Sequence, residues 1–125
     1  MSCPPKYGMS PGNVLKATVT FQNTGTQSHA FDVYVAFGWG TTLEEFLNNL
    51  IKNKIGAGNM VEAPSASPGE TVSVDVPIGP IGSEYAGTWD ILVMVGDYIP
   101  PPPGQETGEF KYADWLICPS VLIIG

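Results

Sequence analysis

The chain has 125 residues, 43% apolar and 14% charged, so it suits one domain with enough apolar mass for a core, and it is too hydrophobic to be disordered. No apolar run approaches the ~20 residues of a membrane-spanning helix, so insertion by a helix is not expected. Twelve acidic residues stand against five lysines (Lys6, Lys16, Lys52, Lys54 and Lys111) and no arginine; the net charge of −7 repels phosphate backbones, and nucleic acid is not an expected partner.

Residues 1–11 read as an extended arm, because Pro4, Pro5 and Pro11 deny a helix its donors, and such an arm is expected along a sheet edge. Residues 14–22 alternate, with Leu15, Ala17, Val19 and Phe21 on one face and Lys16, Thr18, Thr20 and Gln22 on the other. That is the period of a half-buried strand. Asn23, Thr24 and Gly25 supply a turn, after which residues 30–37 alternate with Phe31, Val33, Val35 and Phe37 inward.

The period then changes. Thr42 and Glu45 make a capping box, and Leu43, Phe46, Leu47, Leu50, Ile51 and Ile55 recur at helical spacing. This predicts an amphipathic helix over about 42–54, packed on the sheet or across one end and stopped by a left-handed Gly56.

Pro68, Gly69 and Glu70 turn the chain into a strand over 71–78, in which Pro77 marks the end or an edge. Residues 88–95 place Trp89, Ile91, Val93 and Val95 on one face and Leu92 and Met94 on the other. Apolar residues on both faces predict a central strand, or one covered outside by the helix or a partner. Residues 97–108 read as a long loop in which Pro100, Pro101, Pro102 and Pro103 favour polyproline II. A last strand pattern runs over 109–124 through Tyr112, Ala113, Trp115, Ile117 and Val121, interrupted at Pro119. Its apolar end is an association hazard if left bare, so arm and tail are expected to be covered by the domain or by neighbouring subunits.

The 15 glycines and 12 prolines favour many turns over long helices. Three stretches also carry a family pattern: residues 12–37, with K-A-T-V-T-F-Q-N-T-G before a second strand; 68–74, P-G-E-T-V-S-V; and 87–97, G-T-W-D-I-L-V-M-V-G-D. In that order they resemble CARDB-like and related bacterial and archaeal immunoglobulin-like modules, over less than half of the chain. The resemblance implies an all-β, immunoglobulin-like antiparallel β-sandwich of about seven strands, with the helix at 42–54 as an insertion. It also implies a non-enzymatic spacer, adhesion or binding role; similar sandwiches decorate phage capsids and tails.

No constellation of catalytic residues stands out. His29 is the lone histidine and sits at a turn without a serine or cysteine partner at recognisable spacing, so it reads as solvated. Glu44 and Glu45 read as helix-capping acids, and Glu84, Asp90 and Asp97 as turn carboxylates without a calcium-loop pattern. No cofactor and no metal is expected. Cys3 and Cys118 lie near opposite ends: adjacent first and last strands would let them clasp the termini, and the alternative is two free thiols with Cys118 buried in a strand. Met1 is followed by no basic or apolar segment of a secretory signal, so the expected origin is the cytoplasm or a longer secreted protein.

The recognition candidates are Pro100, Pro101, Pro102 and Pro103 with flanking Tyr98 and Phe110, since a preformed polyproline segment docks at little entropic cost. Trp39 and Trp115 are either exposed anchors or core residues, and Trp89 is core. The expectation is a structural or interaction module of a virion or extracellular surface, acting through sheet edges, arms and the proline loop, with protein partners or self-association. The alternative is a carbohydrate-binding accessory domain, which requires Trp39, Tyr98 and Trp115 on one face.

Overall fold

The computed structural model describes every residue except Ser2, Pro4 and Thr107. In chain order its elements are β1 (Tyr7–Met9), β2 (Leu15–Gln22), β3 (Asp32–Gly38), α1 (Leu43–Ile51), β4 (Ala57–Glu62), β5 (Thr71–Ile78), β6 (Gly87–Ile99) and β7 (Glu109–Ile124). A five-stranded sheet in the order β1-β7-β6-β3-β4 faces a two-stranded sheet, β2-β5. Among the described residues the chain is therefore an all-β sandwich of seven strands with one α-helix inserted between β3 and β4. One pair departs from the antiparallel expectation: β1 runs parallel to β7, with Tyr7 opposite Leu122 and Met9 opposite Ile124, because the arm runs along that edge in the last strand's own direction.

Period-two alternation builds the core between the sheets. Leu15, Val19 and Phe21 of β2 and Val76 and Ile78 of β5 meet Val33, Val35 and Phe37 of β3 and Trp89, Ile91 and Val95 of β6. The outer face of β6 is covered by α1, which makes a third layer: Phe46, fully buried, packs with Ala36, Leu92 and Met94. That cover explains why β6 is apolar on both sides. Phe46 approaches this closely because Gly40 has no side chain; a Cβ there would strike the Phe46 backbone.

The Thr42 hydroxyl accepts the Glu45 N–H at 3.1 Å, and the Glu45 carboxylate accepts the Thr41 N–H at 3.2 Å, one residue before the expected partner. The helix is shorter than the 42–54 expected. It ends at Ile51, and Lys54 (φ 54°) turns left-handed before Gly56 (φ 99°), so Ile51 is left exposed and Ile55 packs against the main core from a loop. Strand β4 was not legible: Gly58 and Asn59 are poor strand formers, and antiparallel pairing with β3 holds them extended.

Strand β6 runs on to Ile99, where a loop was expected, pairing Asp97, Tyr98 and Ile99 with Lys111, Phe110 and Glu109 beyond the end of β3. The interruption at Pro119 is a bulge. Trp89 faces Leu122 and Ile91 faces Cys118, and the Ser120 N–H (φ 52°) donates to the Asp90 carboxylate at 2.7 Å. Cys3 and Cys118 are joined by a disulfide with Cα atoms 5.5 Å apart. With β1 alongside, the apolar tail is covered by its own arm: Val121, Leu122 and Ile124 are buried, and Ile123 is exposed.

Candidate functional site

The outer face of the five-stranded sheet is only partly roofed by α1. Register places Met60, Tyr34, Met94 and Trp115 in one row across β4, β3, β6 and β7, and Asp32, Gly96 and Tyr112 in the next. Beyond them, where β6 and β7 run on as a two-stranded ribbon, Tyr98 lies opposite Phe110. The Phe110 ring packs against Tyr34 at 6.5 Å between centroids, which puts both on this outer face. The extra residue at the Ala113 bulge keeps Tyr112 and Trp115 on the same side although three positions separate them.

The result is a continuous apolar platform. Tyr112 is 50% exposed, Trp115 39%, Tyr98 38% and Met60 36%, with Tyr34 and Phe110 half-buried beneath. Monomeric surfaces seldom gather so many large apolar side chains on one face without a ligand to cover them.

Of the residues singled out in the sequence, Tyr98, Phe110 and Trp115 converge here, and the proline loop rises from the same end. Pro100, Pro102 and Pro103 are exposed and Pro101 is half-buried. The run is not a free polyproline rod throughout: the Pro102 carbonyl accepts the Gln105 N–H at 3.1 Å, and Gly104 takes φ 90°, the left-handed position of a type II turn after Pro103.

Trp39 does not join them. It lies at the opposite end of the sheet, stacked on Trp89 at 4.7 Å and 14°, with its indole N–H donating to the Thr88 carbonyl at 3.0 Å. Trp89 is core, as expected, and donates to the Tyr85 carbonyl. Ten residue steps along β6 separate Thr88 from the Tyr98 level, about 33 Å at ~3.3 Å per residue, so the expected set of Trp39, Tyr98 and Trp115 on one face is not formed. Tyr112, Tyr34 and Met60 complete the platform instead. The Phe110–Tyr112 alternation was a usable signal for Tyr112, whereas Met60 belongs to the strand that was missed.

Carboxylates edge the platform. Asp32 faces Glu62 across β3 and β4, and its Oδ2 accepts the Tyr98 N–H at 2.8 Å, which fixes the start of the ribbon. Burial pushes the Tyr34 phenol above its ordinary pKa, so it is a neutral hydroxyl at physiological pH. Aromatic faces beside fixed negative charge favour cationic or neutral, hydroxyl-rich ligands and repel anions.

His29 and Asp90 have structural occupations. His29 contacts Asp97 at 2.6 Å and sets its ring edge-on to Phe31, fastening a loop to β6. Asp90 accepts from Gly40 and Ser120. Among the described residues no three His, Cys, Asp or Glu side chains gather as metal ligands would. No protein-family model, no curated protein and no solved structure matches the chain.

Proposed function

We propose that this domain is a non-catalytic interaction module, akin to CARDB-like immunoglobulin modules, that docks a lysine- or arginine-presenting protein partner of a virion or cell-surface assembly. The observation that carries the reading is the exposed trio Tyr98, Tyr112 and Trp115 on one sheet face, edged by Asp32 and Glu62. Aromatic residues are enriched at protein interfaces, and cations stack on their rings. The disulfide between Cys3 and Cys118 supports a setting outside the reducing cytosol.

A second reading, binding of a neutral glycan, draws support from the same trio, with Tyr112 in the place expected for Trp39. The two readings part on a direct titration. A lysine/arginine-rich peptide is expected to shift the backbone resonances of β6 and β7 at the platform, with affinity falling at high salt and at least tenfold in a Tyr112→Ala/Trp115→Ala variant. Glycan binding lost in that variant, without peptide binding, would transfer the surface to the second reading. If neither ligand perturbs the platform, both readings fail.

A further inference from the structure

The two sheets differ in width, and that difference leaves one side of the sandwich open. On the β5 side the gap is closed: the Asn59 amide donates to the Pro77 carbonyl at 2.7 Å, and Pro77 has no N–H to offer a further strand. On the β2 side nothing comparable is found among the described residues. β2 pairs with β5 alone, in unbroken register over eight residues, with neither proline nor bulge. Among the described residues no strand pairs with its second backbone edge, the arrangement that proteins usually blunt.

Beneath that edge lies a groove of about 610 Å³. Leu15, Ala17 and Val19 form one wall, Ile91, Val93, Leu116 and Val121 form an apolar floor, and the arm at Pro5 and Tyr7 forms the far wall. A second hollow of about 510 Å³, flanked by Phe21, Val95 and Asp114, continues it toward the Gln22 end, and Met1, an exposed side chain, lies against both. The eight residues of β2 span about 27 Å at ~3.4 Å each, the length of one ordinary strand.

The charges give this groove a direction. Its Leu15 half is lined by Lys6 and Lys16 and by no carboxylate, and its other half by Asp114. Lys16 is partly neutralised by Asp75 at 3.3 Å, whereas Lys6 makes no ion pair among the described residues. In a chain of net charge −7 this is an unusual place for an anionic group to be welcome.

We infer that the groove accepts an added β-strand from another polypeptide, paired antiparallel to β2, with apolar side chains at alternate positions on the floor, a basic residue at its amino end beside Asp114 and an acidic one at its carboxyl end beside Lys6. The added strand displaces Met1 and makes the β2–β5 sheet three-stranded. Main-chain bonds supply affinity and the alternate pockets supply selectivity, as in other cases of strand addition. This surface lies between the sheets, not on the aromatic platform, and stands or falls separately from it.

The test uses two blocked octapeptides of alternating valine and threonine, one with lysine first and glutamate last, the other with these exchanged. The first is expected to bind at least fivefold more tightly at low salt, with the gap closing near 1 M salt. Hydrogen exchange of the β2 amides should slow in the complex. The exposed Lys6→Glu variant should narrow or close the gap between the two peptides without changing the melting temperature. Absence of binding at millimolar peptide, equal affinity for the two, preference for the exchanged peptide, or protection confined to the platform strands would each overturn the inference.

Discussion

The disulfide between Cys3 and Cys118 closes a loop of sequence separation 115, nearly the whole chain. Opening it should act mainly on the unfolded state. With a closure entropy of about −2.1 − 1.5R ln n cal/mol/K and n = 115, the reduced chain gains roughly 16 cal/mol/K, or about 4.8 kcal/mol at 25 °C. At an unfolding entropy of ~2.1 cal/mol/K per residue over 125 residues, that corresponds to a fall in melting temperature of roughly 18 °C. Cys3→Ser is the cleaner perturbation, since Cys3 is exposed whereas Cys118 is fully buried and a serine hydroxyl there would add its own cost. Urea unfolding of Cys3→Ser and of reduced wild type should agree with each other, with midpoints well below that of the oxidised protein and steeper slopes, because the unlinked chain expands further. A loss under about 1 kcal/mol in both would refute the entropic reasoning. A loss in the variant but not in the reduced protein would trace the effect to residue 3 itself.

Three further outcomes follow from other layers of the fold. Phe46→Ala removes the buried anchor of α1 and should cost about 3–5 kcal/mol in urea unfolding; a cost below ~1 kcal/mol would mean that the helix is not packed as described. Tyr34 has a folded pKa raised above its ordinary 10.0 by burial, so its contribution to stability is complete below the unfolded value and is lost as pH rises through the folded one. In an alkaline absorbance titration Tyr34→Phe should remove a step that lies above the ordinary tyrosine range. Asp75 has a pKa lowered first by its hydrogen bond from Thr18 and then by Lys16, so its contribution is present above the unfolded value and is lost as pH falls through the folded one. Asp75→Asn should therefore melt below wild type near pH 6 and together with it near pH 2.

What was legible in the sequence is what a half-buried strand or helix must write into its own residues. β2 and β5 alternate because one face meets the core and the other meets water, β3 alternates between the core on one face and the α1-covered layer on the other, and α1 announces itself through Thr42 and the stripe around Phe46. Local pattern could not say which surface that stripe covers; the two-faced β6 narrowed the choice, and the packing of Phe46 on Leu92 and Met94 decides it. β4 was missed because its extension depends on pairing with β3 and not on Gly58 or Asn59. The platform was half visible: Tyr98, Phe110 and Trp115 stood out as aromatic, but only cross-strand register brings Tyr34 and Met60 beside them and carries Trp39 to the far end.

The clasp at the sheet edge also has a mechanical meaning. Residue 3 is bonded covalently to residue 118, so tension applied along the chain from outside these two points passes through sulfur and bypasses everything between them. On the carboxyl side of the bond, residues 119–125 can be drawn out, peeling the end of β7 from β1 and β6 over about 25 Å at ~3.5 Å per residue. The platform at Tyr98, Tyr112 and Trp115 and the open groove beside β2 lie largely within the protected span. A domain strapped in this way can hold a ligand under a pull that would unravel an unstrapped sandwich strand by strand.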